Sequence, residues 1–165
     1  MKTLLMLFAV ALGGSRLAAQ QPPASKVSLS LLTGPSPYDL SGVGTGFAAG
    51  AWLDYQVKPF LFAEGGVGYF RYTAQFGSRV TFLLPEVGLR AGVPLGPVFP
   101  FIGIGAGSAI VVTGGSGNAL TLHGLVGFRV WVTPRVGLRA EGRLRAVDPW
   151  GANMTDLTGG LSIRM

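Results

Sequence analysis

From Val27 onward the chain alternates between apolar residues and small or polar ones for almost its whole length. Val27, Leu29 and Leu31 interleave with Ser28 and Ser30, and Phe47 to Tyr55 interleave with Gly46, Ala48, Gly50, Trp52 and Asp54. The same two-residue period returns around Ala63–Tyr69, Val87–Val93, Ile102–Ala106, Leu120–Val132, Leu138–Ala146 and Leu157–Met165. Alternation of this kind places one residue class on each face of an extended strand, so the pattern predicts eight β-strands.

The connections alternate too. Gln56–Pro59, Pro94–Pro97 and Thr133-Pro134 are tight and carry proline, whereas Gly34–Gly42, Thr73–Ser78, Thr113–Asn118 and Asp148–Thr155 are longer and polar. Short turns at one end and longer loops at the other fit an all-β, eight-stranded antiparallel up-and-down transmembrane β-barrel. The rival is a helical membrane protein, because Ala91 to Phe128 carries no Lys, Arg, Asp or Glu. Yet Gly103, Gly105 and Gly107 share a face only in extended backbone, and Pro97 and Pro100 oppose a helix there.

Composition sharpens which solvent lies where. Charged residues make up only 12% of the chain and glycine 27 of 165 positions. A soluble barrel turns a charged face to water, but here the polar face is mostly Gly and Ala with a few central charges. A narrow lumen with apolar residues outside is the better fit. Lys2, the apolar run Leu4–Leu12 and the small residues before Gln20 predict a secretory signal over 1-19, followed by a linker over 20-25 and the barrel over 26-165. There is no Cys, so disulfides and thiolate metal sites are excluded. The net charge of +6 is not gathered into a run, which argues against nucleic acid.

Candidate chemistry centres on the charges of the polar face: Glu64, Glu86, Arg90, Arg129, Arg139, Glu141, Arg143 and Arg145. Buried in a lumen these need partners, so arginine–carboxylate bridges across the barrel are expected. The set holds five arginines and three glutamates, which leaves room for an anion-leaning path as the lesser reading. Trp52 and Trp131 have inward parity and are expected near the periplasmic mouth. Tyr55, Phe60, Tyr69, Tyr72, Phe82 and Phe99 fall near strand ends, as interfacial girdles do. His123 is the sole histidine and has no nucleophile at a useful spacing, so no enzyme, cofactor or metal site is expected. Gly103–Gly107 and Gly114–Gly117 lack the Lys-Ser/Thr and helix of a phosphate loop, and read as lumen packing and a surface turn.

The final strand, Thr158-Gly-Gly-Leu-Ser-Ile-Arg-Met165, resembles the C-terminal assembly signal of outer-membrane proteins through Thr158, Gly160, Ile163 and Met165. That family usually ends in Phe, so Met165 is a departure. Val136-Gly-Leu-Arg-Ala-Glu-Gly-Arg-Leu-Arg145, after a proline-containing turn, resembles the penultimate strand of small OmpA/OmpX-like barrels. The resemblance implies a monomeric protein of a Gram-negative outer membrane. Its expected partners are membrane lipid, lipopolysaccharide and, during insertion, the barrel-assembly machinery. It implies a role in envelope integrity, adhesion or slow permeation and does not choose among them. The charged set favours a structural or interaction component with a filled, charge-paired lumen; the alternative is a narrow porin-like channel for ions or very small solutes.

Overall fold

The computed structural model describes residues 25–37, 45–73, 79–148 and 152–165. The signal over 1-19 and most of the linker over 20-25 lie outside these residues, as does the middle of the first long loop.

Eight antiparallel strands follow the chain: β1 (Val27–Pro37), β2 (Thr45–Lys58), β3 (Leu61–Thr73), β4 (Arg79–Gly92), β5 (Val98–Thr113), β6 (Asn118–Trp131), β7 (Val136–Val147) and β8 (Ala152–Arg164). Each pairs with its sequence neighbours, and β1 closes on β8 through pairs from Ser28↔Arg164 to Thr33↔Gly159. Closure leaves no unpaired sheet edge, the condition under which a β structure can sit in hydrocarbon. Glycine makes this seam possible. A side chain at Gly160 would run into the backbone of Leu31, and one at Gly34 into that of Leu157.

Three boundaries differ from the sequence expectation, the first being β2, which runs to Lys58 and leaves Pro59-Phe60 as the turn in place of Gln56–Pro59. β1 continues through Pro37 and β8 begins at Ala152, so Gly34–Pro37 and Ala152–Thr155 are strand rather than loop. Pro35 and Pro37 sit at the end of the β1–β2 ladder opposite Phe47 and Thr45, where the missing N–H costs little. Pro85 lies deeper, in β4. The β4–β5 pairing runs Leu83↔Ile110 and then resumes at Glu86↔Gly107, with the gap beside the proline that cannot donate.

The faces sort as the alternation requires. Val87, Ile102, Ile104, Val126 and Leu157 are more than half exposed on the outer wall, while every charged residue of the predicted set is buried inside. The molecule is therefore inverted relative to a water-soluble barrel.

Candidate functional site: the lumen charge network

Each strand contributes inward side chains at every second position, and the glycines of β5 clear the space they need. A Cβ at Gly103 would stand 2.7 Å from Arg90 Cγ, and one at Gly107 would stand 2.7 Å from Glu86 Cγ. Gly105 is likewise covered by the His123 ring. These are the positions the sequence assigns to lumen packing. Gly114, by contrast, turns the β5–β6 connection with φ 85°.

The eight predicted charges meet in one continuous cluster. At the turn end, Arg90 contacts Asp54 at 2.6 Å, Arg139 approaches the same carboxylate at 3.5 Å, and Arg129 is bonded to it directly. Ser28 and Ser30 accept from Arg129 at 3.3 and 3.2 Å. In the middle, Glu64 bridges Arg139 at 2.6 Å and Arg143 at 2.7 Å, and Glu141 bridges the same two arginines at 2.5 and 2.9 Å. Towards the loop end, Glu86 receives Arg143 at 3.0 Å and Arg145 at 2.6 Å, and Arg145 also pairs with Asp156. The guanidinium planes lie over lumen aromatics: Arg143 over Trp52 at 3.9 Å, Arg90 over Phe101 at 4.4 Å and Arg145 over Phe70 at 4.8 Å. Charge-assisted, multiply bridged contacts of this kind offset the desolvation that isolated buried charges would suffer.

Asp54 and Asp156 correct the sequence expectation. With them the buried set holds five arginines and five carboxylates among the described residues, so the excess of arginine that favoured an anion path disappears. Parity would have found both. Asp54 shares a face with Trp52, and Asp156 shares one with Thr158 once β8 starts at Ala152. Trp52 is also placed differently. It sits opposite Ser30 and Gly66 beneath Arg143, in mid-barrel, while Trp131 does lie at the turn end, stacked on Arg164 at 3.7 Å.

A second layer was not anticipated. Toward the loop end the lumen turns apolar: Ala48, Phe70, Leu84, Ala109 and Met154 are buried together, with Phe82 and Val147 packed against them. The buried charges thus lie in the middle and turn-end portions of the lumen. Tyr72 and Phe82 stack at 5.8 Å, and Phe62 and Phe99 meet edge-on at 5.3 Å. Tyr72, Phe82 and Phe99 therefore carry lumen parity instead of forming an outer girdle, whereas Tyr55 and Phe60 remain exposed on the wall.

Between the two layers, a void lined by Leu32, Trp52, Phe70, Arg145 and Thr158 measures about 10 Å³, which is room for one water at most. His123 points into the network, its Nδ1 3.4 Å from Glu86 Oε1, an electrostatic contact without hydrogen-bond alignment. Of the C-terminal set, Thr158 and Gly160 face the lumen, while Ile163 and Met165 face outward and are 43% and 60% exposed. Met165 N–H donates to Val27 O at 3.2 Å, tying the last residue to the first strand.

No family model matches the chain, and no curated protein does. Solved structures do. Neisserial surface protein A superposes with a TM-score of 0.61 at 19% identity, over 84% of this chain and 96% of that one. The outer membrane protein OprG from Pseudomonas aeruginosa gives 0.58 at 10% identity, over 86% and 97%. Ail, the attachment invasion locus protein of Yersinia pestis, gives 0.51 at 14% identity, over 86% and 97%. At these identities the likeness is one of architecture, and it agrees with the strand order and closure seen here: the chain has the fold of a small outer-membrane β-barrel.

Proposed function

We propose that this chain is an integral outer-membrane protein whose barrel is a closed scaffold, serving the envelope through its structure and its surfaces rather than by conduction or catalysis. The observation that carries this reading is the filling of the lumen. A charge-balanced network occupies its middle, and an apolar layer of Phe70, Leu84, Ala109 and Met154 crosses it nearer the loops. An ion entering from either side would have to break multiply bridged pairs and then pass a dry constriction, and both are barriers to conduction. The porin-like alternative needs a continuous polar path, which the apolar layer interrupts.

Membrane residence rests on the outer wall. Leucine, isoleucine and valine dominate it, and Tyr55 and Phe60 stand at its turn end. A broad concavity of about 780 Å³ between Val87, Leu89, Ile104, Leu122 and Leu144 is floored by Ala106, Gly124 and Ala146 and suits acyl chains. The outward Ile163 and Met165, beside inward Thr158 and Gly160, support recognition of β8 by the assembly machinery. Lipopolysaccharide is the natural neighbour of the loop end. Density-gradient fractionation of envelopes tests the reading: the chain should travel with lipopolysaccharide in a heat-modifiable form. Recovery in the inner-membrane or soluble fraction would refute it.

A further inference from the structure

The charges outside the lumen are unevenly divided between the two ends. Lys26, Lys58 and Arg135 are exposed at the turn end, where Arg164, on the lumen face of β8, stacks on Trp131; at the loop end the exposed cations are Arg71 and Arg79. The acidic side chains of the described residues are elsewhere. Asp54, Glu64, Glu86, Glu141 and Asp156 are locked in the lumen, and Asp148 is on the β7–β8 connection at the opposite end.

Backbone hydrogen bonds set the four cations side by side. Arg164 N–H donates to Arg135 O at 2.8 Å, Met165 N–H to Val27 O at 3.2 Å, and Gln56 N–H to Lys26 O at 2.7 Å. The result is an arc running from the β6–β7 turn across β8 and β1 to the end of β2. None of the four forms an ion pair among the described residues; Arg164 donates only to Pro134 O, at 3.3 Å, and stacks on Trp131. Like charges in a row repel one another, and no exposed acidic side chain of the described residues lies at this end to offset them.

What lies beside the arc indicates the source. Val57, Phe60 and Tyr55 are exposed next to Lys58, and Val132 and Met165, 58% and 60% exposed, lie by Arg135 and Arg164. These apolar and aromatic side chains continue the outer wall down to the level of the cations, which places the arc at the edge of the wall rather than on a water-facing platform. Lysine and arginine stems at such a boundary lie along apolar surface and carry their charge to the headgroup level.

We propose that Lys26, Lys58 and Arg135, the exposed cations of the turn-end arc, bind the phosphate headgroups of anionic phospholipids in the leaflet on that side. The proposal rests on the membrane reading above. The test uses the full chain refolded into phosphatidylcholine vesicles carrying trace spin-labelled phosphatidylglycerol or phosphatidylcholine, with electron paramagnetic resonance measuring how strongly each associates. Phosphatidylglycerol should be favoured by at least about three-fold, and added salt should weaken the preference. In the triple variant Lys26→Gln, Lys58→Gln, Arg135→Gln it should fall to near parity. Equal association in the wild type would overturn the proposal. A preference that ignored salt or survived the triple substitution would overturn it too. Heat-modifiable migration of the same samples separates the two readings: failure to insert refutes membrane residence itself, whereas insertion without lipid preference refutes only the headgroup site.

Discussion

Replacing Arg143 with methionine would remove one cation from the centre of the lumen while keeping most of the side-chain length. Arg143 is 1% exposed and touches three carboxylates, Glu64 at 2.7 Å, Glu86 at 3.0 Å and Glu141 at 2.9 Å. A unit pair 4 Å apart is worth about 4 kcal/mol at an effective dielectric constant of 20, so three such contacts would nominally total about 12 kcal/mol. The network does not release that much. Glu64 and Glu141 keep Arg139, and Glu86 keeps Arg145, so no carboxylate is left alone. What remains is one uncompensated buried negative charge, for which a loss of about 3–5 kcal/mol is the expected scale. Adding Glu141→Gln should restore neutrality and recover at least about 1 kcal/mol as coupling in a double-mutant cycle. Urea unfolding in vesicles, followed by tryptophan fluorescence, measures both, since Trp52 stacks directly on the removed guanidinium. A single variant within about 1 kcal/mol of the wild type, or a double variant no better than the single, would show that the lumen charges are solvated and the network argument wrong.

Three further outcomes follow from other parts of the barrel. Ile104→Lys places a charge on the outer wall where the side chain is 71% exposed, and should destabilise the vesicle-inserted protein by about 2–4 kcal/mol while barely mattering if that wall faces water. Gly160→Val forces a side chain into the Leu31 backbone at the β1–β8 seam and should abolish the heat-modifiable form, whereas Gly159→Ala, whose nearest neighbour would be Arg139 O at 3.8 Å, should be tolerated. Leu84→Ala opens a cavity in the apolar layer at a position with 0% exposure and should cost about 2–5 kcal/mol in urea unfolding.

Strand count, closure and face assignment were legible because they rest on parity, which a membrane-facing wall enforces at nearly every position. Strand ends were less so. Pro35 and Pro37 carry turn chemistry yet continue β1 at the ladder's end, and the polar start of β8 reads as loop although Met154 and Asp156 already point inward. Asp156 is hard to read for the same local reason, since it falls at the apparent loop boundary, whereas Asp54 lies within β2 and its inward parity with Trp52 marks it. The apolar lumen layer was hidden differently. Alternation equates apolar with outside, so Phe70 and Leu84 gave no compositional sign of facing in. Only their parity with Glu64 and Glu86 does so.

A closed lumen is what separates a scaffold from a channel. Planar-bilayer recording of the purified, refolded chain should show no unitary conductance for the wild type. The double variant Phe70→Ser, Leu84→Ser, which wets the apolar layer while leaving all ten buried charges in place, should at most introduce small, brief openings. Steady wild-type conductance that changes with Arg143→Ala would contradict the account, because it would mean that ions pass through the network the barrel is held to seal.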